Sequence, residues 1–325
     1  MCLYPKIIKN RKYVSNKKND ERYGEGNVPI AKDKRCLYVP IGCGNCVECR
    51  KQKARGWQVR LSEDLRVYQN AKFLTFTFND YELQKLDNEI KGLKGYERDN
   101  EICRLAVRRF TERWRKEFGK SVRHWMVTEL GSKYTERIHM HGLLWTDEKM
   151  DVIQEKWKYG RVILGNGKGE HYVSEKTVNY IVKYISKGDK VHKEYKSKIL
   201  TSAGIGKGYI NRFDGKSHVF NKGDTKEFYR TRTGVKLNLP IYYRNNLFTE
   251  EEREKLWIEK LDKQERWVDG KRIDISNGEE EYYKVLEDAR KKGRRLGYGD
   301  GSIDWERRKY EKERRNLIKK GKIWG

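Results

Sequence analysis

His124-Trp125-Met126-Val127-Thr128-Glu129-Leu130, a polar turn carrying Gly131 and Ser132, and then Ile138-His139-Met140-His141-Gly142-Leu143-Leu144-Trp145 form the stretch on which the reading of this chain turns. Both segments read as strands, and their separation fits an antiparallel hairpin with a long loop. Side chains alternate between the two faces of a strand. His139, His141, Leu143 and Trp145 therefore share one face, with Ile138, Met140, Gly142 and Leu144 on the other. On the first strand Trp125, Val127 and Glu129 fall together. Same-face neighbours lie about 6.5–7 Å apart at Cα, so both imidazoles can converge on one cation. If the strands are bonded neighbours in the right register, Glu129 adds a carboxylate. Two neutral imidazoles and one carboxylate leave coordination positions open for water and a phosphate oxygen, as a catalytic metal site requires. The competing reading is a pair of ordinary surface or core histidines. Glu129 on the shared face, in a chain with six His, argues for the metal.

Upstream of this stretch, Phe73–Phe78 reads as a buried strand ended by Asn79-Asp80, preceded by a helix running to about Asn70. Residues 101–118 read as a helix with Ile102, Ala106, Phe110 and Trp114 at core spacing, and with Leu105, Arg109 and Glu112 at solvated or mixed positions. Downstream come a short helix (Glu148–Trp157), a strand (Arg161–Leu164), a glycine-rich turn (Gly165–Gly169) and an amphipathic helix (Val173–Lys187). These elements lack the βαβ rhythm of a parallel sheet, which indicates an α+β fold with a central antiparallel sheet flanked by helices. Residues 1–35 read as a loop-rich arm. Farther on, Leu239–Tyr243 reads as a packing segment, Glu250–Gln264 as a helix capped by Thr249, and Asp304–Gly325 as a basic helical tail. Gly204, Gly206 and Gly208 resemble a phosphate loop, but no GxxxxGK[ST] sequence occurs, which argues against an ATPase. The expected organisation is a Cys-rich arm (1–49), a core (50–190), an extension packed on that core (191–250) and a basic, mainly helical region (251–325).

Composition identifies the partner. Lys and Arg number 74 against 48 Asp and Glu, a formal charge of +26, and such a field attracts polyanions, above all nucleic acid. Nine Trp, nine Phe and 21 Tyr supply enough bulk for a core. No run of about 18 apolar residues exists and no apolar signal core follows Met1, so we expect a soluble, intracellular protein with no membrane partner.

In Val173–Lys187, Val178, Ile181, Val182 and Ile185 make an apolar stripe, while Tyr180, Tyr184 and Lys187 fall at i, i+4 and i+7 on the opposite side. Core packing does not need two phenols and an ammonium there. A phenol is a weak nucleophile at its free pKa near about 10, but a cation that polarises a scissile phosphate makes phenolate attack feasible. Such a transesterification keeps the phosphodiester energy in a protein–DNA bond. Lys187, one turn after Tyr184, is suited to steadying the phenolate or the transferring phosphate.

The order of these motifs, Phe73–Phe78, then Glu129 with His139-Met140-His141, then Tyr180-Ile181-Val182-Lys183-Tyr184-Ile185-Ser186-Lys187, resembles the HUH superfamily of rolling-circle replication initiators. The amino end, Met1-Cys2-Leu3-Tyr4-Pro5 and Val39-Pro40-Ile41-Gly42-Cys43-Gly44-Asn45-Cys46-Val47-Glu48-Cys49-Arg50, is similar to the initiators of small single-stranded DNA phages, the microviruses and particularly the gokushoviruses. The resemblance covers about residues 1–190 and implies an HUH-type sheet in which Glu129, His139 and His141 hold Mg2+ or Mn2+. It also implies that Tyr184 attacks the origin phosphate, leaving a 3′ hydroxyl for the host polymerase and a 5′ phosphotyrosine, and that Tyr180 makes the second attack that closes the displaced circle. Single-stranded origin DNA and a host helicase are the implied partners, and the cytoplasm of a bacterial host the implied location. The competing readings are a relaxase or transposase of the same superfamily, and a non-catalytic basic protein that coats nucleic acid through a zinc module.

Cys43, Cys46 and Cys49 form C-x2-C-x2-C, which in a reducing compartment points to a metal. An iron–sulfur run would want Cys-Pro where Lys53 and Ala54 stand, so structural Zn2+ is expected. The fourth ligand is Cys2 by analogy with the phage proteins, with Cys36 as the local competitor. Cys103 reads as plain core.

Overall fold

The computed structural model describes residues 2–131, 137–165, 173–188, 192 and 195–299. Most of the glycine-rich turn at 165–169, Ser132 in the hairpin turn, and the tail at 304–325 lie outside them. Near the amino end, β1 (Lys6–Lys9) flanks a short helix, α1 (Lys17–Tyr23), and pairs antiparallel with β2 (Tyr38–Ile41). The arm is thus an ordered unit rather than a loop-rich one. Its asparagines, which interrupt any period, are the fastenings. Asn16 caps α1, and the buried Asn19 amide donates to the carbonyls of Lys12 and Val14 at 2.9 and 2.8 Å.

Helix α2 (Val47–Val67) leads into β3 (Ala71–Phe76), which begins two residues earlier than expected because Ala71 and Lys72 pair with Trp145 and Leu144. Asn79 caps α3 (Asp80–Glu89), and α4 (Gly95–Phe118) starts a turn and a half before residue 101 and stops at left-handed Gly119. Leu105, expected at a solvated or mixed position, is buried, because α4 lies deep against the sheet with Ile102, Phe110 and Trp114. Strands β4 (Arg123–Leu130) and β5 (Ile138–Trp145) form the hairpin. Next come α5 (Met150–Lys156), β6 (Val162–Leu164), α6 (Glu175–Ile181), α7 (Lys183–Ser186) and β7 (Ile199–Thr201).

The central sheet runs β6-β3-β5-β4-β7, antiparallel throughout, and its edge strand β7 comes from beyond residue 190. Alternation divides it into two cores. Leu74, Phe76, Met126, Ile138, Met140 and Leu144 face α4 and Trp157. On the opposite face Phe73, Trp125, Val127, Leu143 and Trp145 meet Ala54 and Leu61 of α2 and the stripe Val178, Ile181, Val182 and Ile185. The single helix expected over Val173–Lys187 is broken at Val182 into α6 and α7. The Ile185 N–H bonds back three residues to the Val182 carbonyl, a tighter turn than α-helix, within a β-branched run of low helix propensity.

Past the sheet, α8 (Gly208–Asn211), α9 (Phe213–Lys216), the hairpin β8 (Phe228–Arg230) and β9 (Lys236–Asn238), α10 (Ile241–Leu247) and α11 (Glu250–Asp262) gather around Tyr209, Tyr229, Tyr243 and Phe248. Helix α11 carries the Thr249–Glu252 capping box. The loop of Gly204 and Gly206 is not a phosphate cradle. Gly206 sits at φ +73° with its N–H donating to Asp64 Oδ1 at 2.7 Å, and a Cβ there would strike the Arg60 carbonyl and the Tyr243 hydroxyl. The carboxyl-terminal part, expected to be mainly helical, also contains the hairpin β10 (Glu265–Val268) and β11 (Lys271–Asp274) before α12 (Glu280–Arg295). Among the described residues no helix is long and apolar enough to cross a membrane.

Candidate metal and tyrosine site

In the β4–β5 register Glu129 stands directly opposite His139, and Val127 opposite His141. Directly opposed residues share a face, so the carboxylate and both imidazoles project together toward α6 and α7. Glu129 Oε2 lies 3.1 Å from His141 Nε2 and 3.4 Å from His139 Nε2. The three ligand atoms fall within 4.8 Å of one another, close enough to hold one ion.

The far sides of both rings are also held. His139 Nδ1 faces the Arg137 carbonyl at 3.2 Å and His141 Nδ1 faces Thr75 Oγ1 at 2.9 Å. The Thr75 hydroxyl donates to the Gly165 carbonyl at 3.2 Å, so it offers His141 an acceptor. That arrangement favours a proton on Nδ1 and leaves Nε2 for a cation. Thr75, opposite His141 in the β3–β5 register, is a site residue that the sequence reading misses. Its signal there is the alternation that sets it on the face of Phe73.

Burial works against the charge on Glu129, but hydrogen bonds with His139, His141 and Lys187, together with the Lys187 charge, hold its carboxyl well below the usual carboxylate range. Burial likewise keeps His141 below the ordinary imidazole value, against the pull of Glu129. The triad is thus an ionised carboxylate beside a neutral His141, a donor set suited to a divalent cation.

Both tyrosines reach this site. The Tyr184 ring stacks on His141 with centroids 4.1 Å apart and planes 12° from parallel, and its hydroxyl donates to the Tyr180 hydroxyl at 3.0 Å. Tyr180 packs edge-on against Phe73 and is 42% exposed. Burial pushes the Tyr184 phenol up, with the Tyr180 hydrogen bond and the Glu129 charge adding to it. The Lys187 ammonium is 3.0 Å from Glu129 Oε1. It therefore sits on the carboxylate rather than on the nucleophile it was expected to steady.

The second cluster lies at the start of α2. Cys2, Cys43, Cys46 and Cys49 place their sulfurs within 4.8 Å of one another, whereas Cys36 and Cys103 are buried elsewhere. Tetrahedral Zn–S bonds of about 2.3 Å imply sulfurs about 3.8 Å apart. Cys2 Sγ and Cys46 Sγ are 3.9 Å apart. Backbone N–H groups of Leu3, Tyr4, Cys43 and Cys46 point at these sulfurs, at 3.2–3.4 Å. Gly42 leaves the space that the cluster fills, since a Cβ there would stand 2.9 Å from Cys49 Sγ. The group fits zinc.

Residues 71–189 match the family model of the ORF2 type of replication-associated protein. The matched stretch begins at the first residue of β3 and contains Glu129, His139, His141, Tyr180, Tyr184 and Lys187, while the four clustered cysteines lie outside it. No curated protein and no solved structure matches the chain.

Proposed function

We propose that this chain is a rolling-circle replication initiator of the HUH type that nicks and rejoins single-stranded origin DNA through tyrosine. The observation that carries the reading is the Tyr184 ring stacked on His141 of the Glu129–His139–His141 triad, with its hydroxyl bonded to that of Tyr180. The replication-associated family match over the same residues supports it, as does the charge of +26. When bound at the triad, Mg2+ or Mn2+ would supply Lewis-acid polarisation of the scissile phosphate.

In the first step Tyr184 Oη bonds to the phosphorus and the P–O3′ bond breaks, giving a 5′ phosphotyrosine. The phenolic proton leaves along the hydrogen bond toward the exposed Tyr180 hydroxyl and water, and the departing 3′ oxygen takes a proton from water to become the 3′ hydroxyl. Tyr180, four residues earlier on the same face, serves the second transfer, in which the free 3′ hydroxyl of the displaced strand rejoins a 5′ phosphotyrosine. The products suit a host polymerase and helicase in a bacterial cytoplasm. The Cys2–Cys43–Cys46–Cys49 group holds structural Zn2+.

A labelled single-stranded origin oligonucleotide incubated with Mn2+ tests the reading. The wild-type protein forms an adduct that survives denaturation and maps to the Tyr180–Lys187 peptide. Tyr180→Phe with Tyr184→Phe abolishes the adduct and leaves salt-sensitive DNA binding nearly intact. Wild-type protein that binds the oligonucleotide without any adduct would instead be a non-catalytic coat protein. Cleavage at terminal repeats but not at an origin would indicate a transposase.

A further inference from the structure

The carboxyl end of α7 is where the Lys187 ammonium is aimed at Glu129, and a helix end leaves its last carbonyls without intrahelical partners. Here side chains from three distant segments take them. Ser197 Oγ donates to the Tyr184 carbonyl at 3.1 Å, the Tyr298 hydroxyl to the Ser186 carbonyl at 2.6 Å, and Arg50 Nη1 to the Lys187 carbonyl at 3.3 Å. Gly188 permits the close approach, because a Cβ there would run into the Leu296 carbonyl.

Of the three, Arg50 reaches farthest. It is 5% exposed. Its Nε donates to the Asn45 carbonyl at 3.0 Å and to Asn45 Oδ1 at 3.1 Å, and its Nη2 donates to the Tyr195 carbonyl at 2.7 Å. Asn45 lies between Cys43 and Cys46, and Arg50 follows Cys49 directly. One planar fork therefore joins the cysteine loop, the segment leading to β7 and the backbone of Lys187. A cation at a helix carboxyl end also complements the helix dipole.

We infer that Arg50 is a positioning residue for the nicking chemistry, holding the Lys187 backbone so that its ammonium meets Glu129 and tying that contact to the cysteine loop. The inference rests on the proposed nicking function. Lysine at position 50 would keep the charge but lose the fork that reaches several acceptors at once.

The test compares Arg50→Lys with wild type in the full chain, using single-turnover adduct formation on the origin oligonucleotide with Mn2+. Adduct formation slows about 10–100-fold while oligonucleotide affinity stays within about twofold. In a Lys187→Ala background the same substitution changes the rate by no more than about twofold, since its effect runs through Lys187. Hydrogen exchange quickens in the peptide covering residues 183–188. Asn45→Ala keeps the buried cation and removes one acceptor, so it guards against misfolding of the first variant; it slows the adduct about 2–10-fold. Adduct rates within about twofold of wild type in both variants, or an undiminished loss in the Lys187→Ala background, overturn the inference. If wild-type protein forms no adduct, the nicking reading fails, and unchanged exchange at 183–188 in Arg50→Lys then rejects the positioning role separately.

Discussion

The two metal-ligating clusters of this protein differ in what they leave open. The triad gathers three ligand atoms, two nitrogens and a carboxylate oxygen, on a sheet face where Glu129, His139 and His141 keep 18%, 22% and 13% of their side chains exposed. The cysteine group gathers four sulfurs at the amino end of α2, surrounded by backbone N–H groups and packed against Leu3, Val47, Tyr282 and Leu286. Four thiolates complete a tetrahedron, whereas three mixed ligands leave room for water or substrate. The difference assigns chemistry to one cluster and cohesion to the other. The cysteine group joins the first residues of the chain to α12, where Arg290 donates to the Leu3 carbonyl at 2.8 Å.

Removing one ligand from each cluster and reading both properties puts this contrast under the most severe test. Glu129→Ala lowers the rate of adduct formation by at least about 10^3-fold, because it removes both the anionic ligand and the partner of Lys187. Zinc content and oligonucleotide affinity stay at wild-type values in that variant. Cys46→Ser has the opposite signature. Zinc falls from about one equivalent to none, and the Tm drops by roughly 5–10 °C as metal-binding free energy is lost from the folded state. Adduct formation falls by only about tenfold, through the slackened Asn45–Arg50 link. Equal losses of activity from both substitutions, or zinc lost from the Glu129→Ala protein, would show that the clusters do not divide the labour in this way.

What could be read from the sequence follows the range of the interactions. Alternation along two strands is local, and antiparallel pairing puts opposed residues on one face, so Glu129 and His139 could be brought together without coordinates. The stripe of Val178, Ile181, Val182 and Ile185 is legible for the same reason, although the break at Val182 is not, since it depends on how the helix seats on α2 and the sheet. The C-x2-C-x2-C spacing is local too. The choice of Cys2 over Cys36 depends on the β1–β2 pairing, which returns the amino end to a loop 41 residues on. Arg50 is hidden in the same way. Beside Cys49 it reads as one more surface charge in a very basic chain, and its acceptors at Lys187 and Tyr195 lie 137 and 145 positions away.

A smaller effect probes the triad side of the comparison. Thr75 touches no substrate on the proposed reading; it holds His141 by accepting at 2.9 Å while donating to the Gly165 carbonyl. Thr75→Val preserves shape and β-propensity but removes that acceptor, so the ring no longer has a fixed tautomer and its Nε2 is presented to the cation for only part of the time. Partners of this kind contribute about 10–100-fold to metal affinity. Mn2+ affinity, followed by titration of the oligonucleotide-free protein, therefore weakens within that range, and excess Mn2+ restores most of the adduct rate. Zinc at the cysteine cluster is unchanged. A loss of activity that Mn2+ does not restore would mean that Thr75 supports the sheet rather than the imidazole, and the triad would then owe its geometry to the β4–β5 register alone.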